Sequence, residues 1–99
     1  MTKVRISEDA LQDLNEGYLF YEAQEGGVGD YFAACLRADI ESLKISAGIH
    51  RIVYQDYHRL LSRVFPYGIF YTVEGEIAVV WAIIDLRRDP VWIREQLKE

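Results

Sequence analysis

Apolar and polar positions follow three different rhythms along this chain. From Lys3 to Ile6 they alternate one for one, the period of a strand. Ser7 then offers an N-cap hydroxyl, and Glu8 and Asp9 place negative charge where a helix dipole favours it. Leu11, Leu14, Tyr18 and Tyr21 recur at spacings of three and four, widened by Ala10 and Phe20. That stripe predicts an amphipathic helix to about Gln24. Gly17 lies inside it at a cost of about 1 kcal/mol relative to Ala, so another backbone is expected to approach there. Glu25 to Gly29 break the helix, and Asp30 is expected to cap a second one. Its apolar face is Phe32, Leu36, Ile40 and Leu43 with Cys35 beside it, and it ends over Ser46, Ala47 and Gly48. A short link between two such helices predicts an antiparallel hairpin.

The third rhythm is that of strands. Ile49 to His58 has no clear period and is expected to be loop or a short irregular strand. Arg59 to Phe65 reads as a strand stopped by Pro66, and Gly68 to Val73 as another. Glu74, Gly75 and Glu76 then form a hairpin turn into Ile77–Ile84. This last run carries no charge, no Gly and no Pro, and shows no alternation. Both its faces are therefore expected to be covered, as in a strand inside a sheet, with Trp81 in the core. Charge returns at Asp85, Arg87, Arg88 and Asp89, and Pro90 opens a short tail helix through Leu97, capped by Asp89. The expected fold is α+β in the order β-α-α-β-β-β(-α). A helical hairpin packs on a small, mostly antiparallel sheet, in one domain over residues 1–99. The opposite sheet face is expected to be partly open, a seat for a partner segment.

Composition sharpens this in two respects. Cys35 is the sole cysteine, so no intrachain disulfide forms, which fits a reducing cytoplasm. No N-terminal apolar targeting segment and no membrane span are expected. The net charge of −5 is uneven: Met1 to Ile49 hold four basic and nine acidic residues, His50 to Glu99 seven of each. Nucleic-acid affinity rests on positive surface, so a general nucleic-acid binder is disfavoured, leaving room for a local basic patch in the second half.

That patch has candidates. Arg59 and Arg63, four residues apart on one expected strand, would share a face and could join Arg88. Arg87 and Arg88 can meet a phosphate or a partner's carboxylate, or simply pair with Asp85 and Asp89. Tyr67 and Tyr71 could stack on a base, or pack. Trp92 could fold onto the sheet or be covered by a partner. His50 and His58 lack the spacing and the Cys partners of a zinc site, so no metal and no cofactor are expected. Hydrogen bonding is the simpler role for both, with His50 the better functional candidate.

The element order resembles the RelE/ParE superfamily of type II toxin–antitoxin toxins, in particular a plasmid-stabilisation, ParE-like branch. Phe20-Tyr21-Glu22, Gly29, Ala47-Gly48-Ile49-His50, Arg63-Val64-Phe65-Pro66-Tyr67, Ile69-Phe70-Tyr71, Val80 through Asp85 and Arg87-Arg88-Asp89-Pro90 carry the likeness. The resemblance implies a toxin that arrests growth and is neutralised by a cognate antitoxin, as a homodimer or a toxin–antitoxin hetero-oligomer. RelE-like members cleave mRNA on the ribosome, and ParE-like members poison DNA gyrase. RelE-like enzymes place one catalytic arginine where this chain has Gly68 and another at Arg88 or Arg87. Trp92 stands for their tail tyrosine, and no lysine lies between Ile45 and Arg63 to match theirs. The resemblance therefore implies action by binding, with Arg88 and Arg87 as the only catalytic candidates. Arg59, Arg63, Tyr67, Tyr71, Trp92 and His50, the binding candidates read from the residues themselves, are expected at a target or antitoxin surface. The alternatives are a degenerate RelE-like endoribonuclease and a non-toxic interaction protein on the same fold.

Overall fold

The computed structural model describes residues 1–98. In chain order the elements are β1 (Lys3–Ile6), α1 (Glu8–Gln24), α2 (Val28–Glu41), the one-turn α3 (Leu43–Ser46), β2 (Ile52–Tyr54), β3 (Tyr57–Leu61), β4 (Tyr67–Glu74), β5 (Ile77–Asp85) and α4 (Pro90–Leu97). The five strands form one sheet in the order β1-β5-β4-β3-β2. β1 runs parallel to β5 and every other pair is antiparallel. The expected α+β architecture stands, and β5 is flanked by a strand on each side. Segment 49–58 resolves into β2 and a two-residue turn in which Gln55 takes a positive φ of 49°. β3 begins earlier and ends four residues sooner than its polarity suggests, because Ser62–Phe65 turn away to meet α2.

The helical hairpin is locked where two glycines permit close approach. A Cβ on Gly17 would lie 2.5 Å from the Phe32 ring, so it is a side chain, rather than the expected backbone, that fills the space. A Cβ on Gly29 would lie 2.6 Å from the Tyr18 carbonyl oxygen. The cap of α2 also differs from expectation. Gly27, at φ +94°, is the N-cap, and Asp30 sits in the first turn. The Glu22 carboxylate on α1 accepts the Gly27 and Gly29 N–H groups at 3.0 and 2.9 Å, supplying from a neighbouring helix what a side-chain cap would give. The α1 stripe is narrower than predicted: Ala10, Leu14 and Gly17 are buried, while Leu11 and Phe20 are about half exposed.

Trp81 corrects the reading of β5. Phe70 pairs with Ala82 and Tyr71 with Val80, so Trp81 is the extra residue of a β-bulge. Its side chain is 40% exposed rather than in the core, and its indole Nε1 donates to Thr72 Oγ1 at 2.8 Å. The bulge resets the alternation. Ala78, Val80 and Ile83 face the helices beside Phe32, Leu36, Leu43, Ile69 and Tyr71, whereas Ala82 and Ile84 join Phe70 and Leu97 on the opposite face. That opposite face is not the open seat expected. α4 lies across it through Ile93 and Leu97, leaving Phe70 2% exposed.

Candidate functional site

β1 is shorter than β5, and this mismatch creates the site. The ladder ends at Ile6 opposite Val80, and Ser7 turns the chain into α1. Ser7 holds the junction: its N–H donates to the Val80 carbonyl, and its hydroxyl accepts from Ala10 N–H and donates to the Trp81 carbonyl. Beyond that point β5 has no strand on its β1 side among the described residues. Asp13 of α1 takes over, its Oδ2 accepting Ile83 N–H at 3.0 Å. Between α1 and this stretch of β5 runs a groove of about 600 Å³, lined by Asp9, Asp13, Glu16 and Phe20 on the helix side. Tyr67 and Trp81–Asp85 line it on the sheet side, and Arg88, Trp92 and Gln96 close its end.

The groove is acidic along α1 and cationic at its end. Burial pushes the Asp13 carboxyl up to about 6, opposed by its bond from Ile83 N–H and reinforced by the charges of Glu16 and Asp9. At the other end Arg87 clamps Asp85 in two bonds, Nη2 to Oδ2 at 2.7 Å and Nε to Oδ1 at 3.0 Å. That pairing holds Asp85 below the usual carboxylate range and keeps Arg87 firmly protonated. Arg88 makes no ion pair among the described residues; its guanidinium lies 3.7 Å above the Trp92 ring. Trp92 is carried there by α4, which Asp89 caps through Val91 N–H as expected. Tyr67 sits between these charges and the aromatic cluster. Burial pushes its hydroxyl up to about 12, helped by Tyr21 and Asp85 and opposed by Arg87 and Arg88.

Of the residues singled out from sequence, Arg87, Arg88, Tyr67 and Trp92 converge here. The others do not. Arg63 lies beyond the end of β3, so the shared-face argument with Arg59 fails. Its Nε instead bonds the buried Asp39 at 3.2 Å on the helix side, while Ser62 Oγ donates to the same carboxylate at 2.8 Å. Arg59 stays on β3 opposite Phe70, with its stem against Gly68. His50 and Tyr71 form a separate group. The buried Tyr71 hydroxyl accepts Gly48 N–H at 2.9 Å and bonds His50 Nδ1, and the His58 ring stacks on Tyr71 at 5.0 Å. Burial, then the neighbouring His58, holds the His50 pKa below its ordinary value. Sequence reasoning overlooked Asp13 and the groove. The signal was Asp9, Asp13 and Glu16 at steps of four and three, one acidic side of α1.

A cleaving site concentrates cations on the scissile phosphate and sets an acid or base beside it. In the groove Arg88 is the one guanidinium without an ion pair among the described residues, the Asp13 carboxyl is the group raised towards neutral pH, and both histidines lie apart in the Tyr71 group. A side chain at position 68 would start 3.0 Å from Leu86 Cδ2, 3.1 Å from the Phe70 ring and 3.2 Å from Arg59 Cγ, so it would fit only if these side chains gave way by a few tenths of an ångström.

No helix among the described residues is long and apolar enough to cross a membrane. No curated protein sequence matches the chain. Among solved structures, the fold is similar to a chain of the chromosomal ParDE toxin–antitoxin system of P. aeruginosa, with a TM-score of 0.81 and 18% identity over 87% of this chain and 97% of that one. It is also similar to the isolated E. coli RelE toxin, with a TM-score of 0.63 and 16% identity over 96% of this chain and 95% of that one. At such identities these likenesses speak for the fold. The sequence itself, over residues 4–90, matches the family described as ParE toxin of type II toxin-antitoxin system, parDE, and the chain belongs to that family.

Proposed function

We propose that this chain arrests growth by binding a cellular protein, with DNA gyrase as the target, and that a cognate antitoxin neutralises it. The observation that carries the binding reading is the acidic wall of the groove, Asp9, Asp13 and Glu16, lying across from Arg88, the one groove-lining guanidinium. A ribonuclease of this superfamily would need several cations around the scissile phosphate, and the acidic first half works against RNA affinity. Arg88, with Arg87 and Tyr67 behind it and Trp92 beneath it, is the target-facing group. The antitoxin segment lies in the groove between α1 and β5, where an extended chain can run beside the strandless stretch of β5. This places it at the β1 side of the sheet instead of on the face that α4 covers. Arg59, Tyr71 and His50 support the fold around these surfaces. The protein acts in the cytoplasm, where gyrase resides.

The deciding experiment is expression of the chain without its antitoxin. Growth arrest with DNA damage and recovery of gyrase on the tagged chain is the expected result. Arrest with mRNA cut on ribosomes would replace this reading with the endoribonuclease one. Unchanged growth at every expression level would leave an interaction protein on the toxin fold.

A further inference from the structure

One end of the molecule exposes large apolar side chains that its core does not need. Phe20 on α1 is 51% exposed, Tyr31 on α2 56%, and Val64 in the β3–β4 connector 53%. They come from three elements, and the half-buried rings of Tyr21 and Phe65 link them. Phe20 meets Tyr21 edge-on at 5.1 Å, Tyr21 meets Phe65 at 4.8 Å, and Tyr31 meets Phe65 at 5.6 Å, with Val64 next in the chain. Beneath them Phe32 is fully buried and Tyr67 nearly so, so the core is already closed without the outer side chains. A rigid apolar platform of this kind marks an interaction surface.

Its rim is cationic. Arg63 borders Val64, Arg87 clamps the groove-lining Asp85, and Arg88 lines the same groove as Phe20. Two of these guanidiniums are pre-set: Asp39 holds Arg63 and Asp85 holds Arg87, each leaving the side chain well exposed. Held side chains lose little freedom when a partner arrives. Aromatic and arginine side chains are also the residues that most often dominate protein interfaces.

We infer that the end formed by Phe20, Tyr31, Val64, Arg63, Arg87 and Arg88 docks an acidic protein segment, one that sets an apolar anchor on the rings and carboxylates against the rim. This rests on the reading that the chain acts by binding a protein, and it supplies the chemistry of that target. A nucleic acid fits less well. Asp39 and Asp85 already balance two of the three cations, and the acidic side of α1 adjoins the platform. A polyanion gains affinity from uncompensated cations, whereas a short acidic segment needs only one or two.

The test is an amide-shift titration of the isotope-labelled full chain with two probes: a synthetic peptide with a Leu-Trp pair flanked by glutamates, and an oligothymidylate of similar length. The peptide is expected to shift residues around Phe20, Tyr31 and Val64, and to bind about tenfold more weakly to Val64→Asp and to Arg88→Glu, the loss of one good anchor. Ile45→Asp, an 88% exposed site on α3, should bind as the unaltered chain does. Because all these positions are exposed, each variant should stay folded, with a melting temperature within a few degrees of the unaltered chain. No peptide binding, shifts elsewhere, or tighter oligonucleotide binding at the same residues would overturn the proposal. Growth arrest separates the two readings. Peptide binding by a chain that never arrests growth sinks the toxin reading alone, and arrest without peptide binding sinks this surface alone.

Discussion

The two faces of the sheet are covered to very different depths. On one, two long helices bury Phe32, Leu36, Leu43, Ile69, Tyr71 and Val80 almost completely. On the other, one eight-residue helix sets Leu97 and Ile93 against Phe70, Ala82 and Ile84. The arginines of the proposed target face stand at the join between this lightly covered side and the groove. The contrast teaches a division of labour: one face holds the fold together, and the other carries the groups that meet a partner on a helix held by few side chains.

The largest effect should come from the deep face. Phe32→Ala removes a ring that touches Tyr21, Phe65 and Tyr67 and fills the notch at Gly17, and should cost about 3–5 kcal/mol in urea unfolding. Leu97→Ala on the shallow face should cost about 2 kcal/mol, the low end for a buried leucine, because the end of α4 can settle into the space. Equal losses from the two substitutions would erase the contrast.

Trp81→Ala sharpens it from between the faces. A buried strand tryptophan would be worth about 3–5 kcal/mol. With 40% of its surface exposed and its main anchor the bond to Thr72, the loss should be about 1–2 kcal/mol in the same unfolding assay. A larger loss would place the ring in the core after all. This position marks where the sequence stops being legible. Element order, the α2 face and the Asp89 cap follow from periodicity and cap chemistry, which are local. The bulge follows from how β4 and β5 pair, and nothing in the uniform run Ile77–Ile84 distinguishes Trp81 as the extra residue. The separation of Arg59 from Arg63 was hidden for the same reason. It depends on Asp39, distant in sequence, drawing Ser62 and Arg63 off the sheet. Arg87, Arg88, Tyr67 and Trp92 lie together because the end of β5, the start of β4 and α4 meet, whereas spacing along the sequence joins Arg88 to Arg59 and Arg63 instead.

A smaller effect is expected at the groove, and it depends on pH. The Asp13 carboxyl is raised to about 6 in the folded chain, above its unfolded value near 3.8. A raised carboxyl favours folding while protonated. Its contribution is therefore complete below about pH 4 and is lost as pH rises through about 6. Asp13→Asn keeps an oxygen that accepts from Ile83 N–H but cannot ionise. The variant should melt above the unaltered chain at pH 7.5, and the two should converge near pH 4. Asp85, shifted the other way by Arg87, loses its contribution at acid pH in both proteins and cancels in the comparison. A gap that stays constant with pH would show that Asp13 is not titrating in this window.

The smallest stability effect should accompany the largest functional one. Arg88 touches the fold through its stacking on Trp92 and its N–H to the Asp85 carbonyl, and alanine keeps the second contact. Arg88→Ala should therefore change stability by no more than about 1 kcal/mol, the worth of an exposed cation–π contact. Growth arrest should nevertheless be abolished if this guanidinium meets the target. Arg87→Ala provides the contrast. It strips Asp85 of its partner and turns a neutral pair into a bare carboxylate at the same place, so it should weaken arrest by repulsion even with Arg88 intact. The double variant Asp85→Asn with Arg87→Ala removes that repulsion and should recover part of the arrest. Full arrest by Arg88→Ala at matched expression would move the target face away from this end of β5, leaving the deep face and its helices as the place to look.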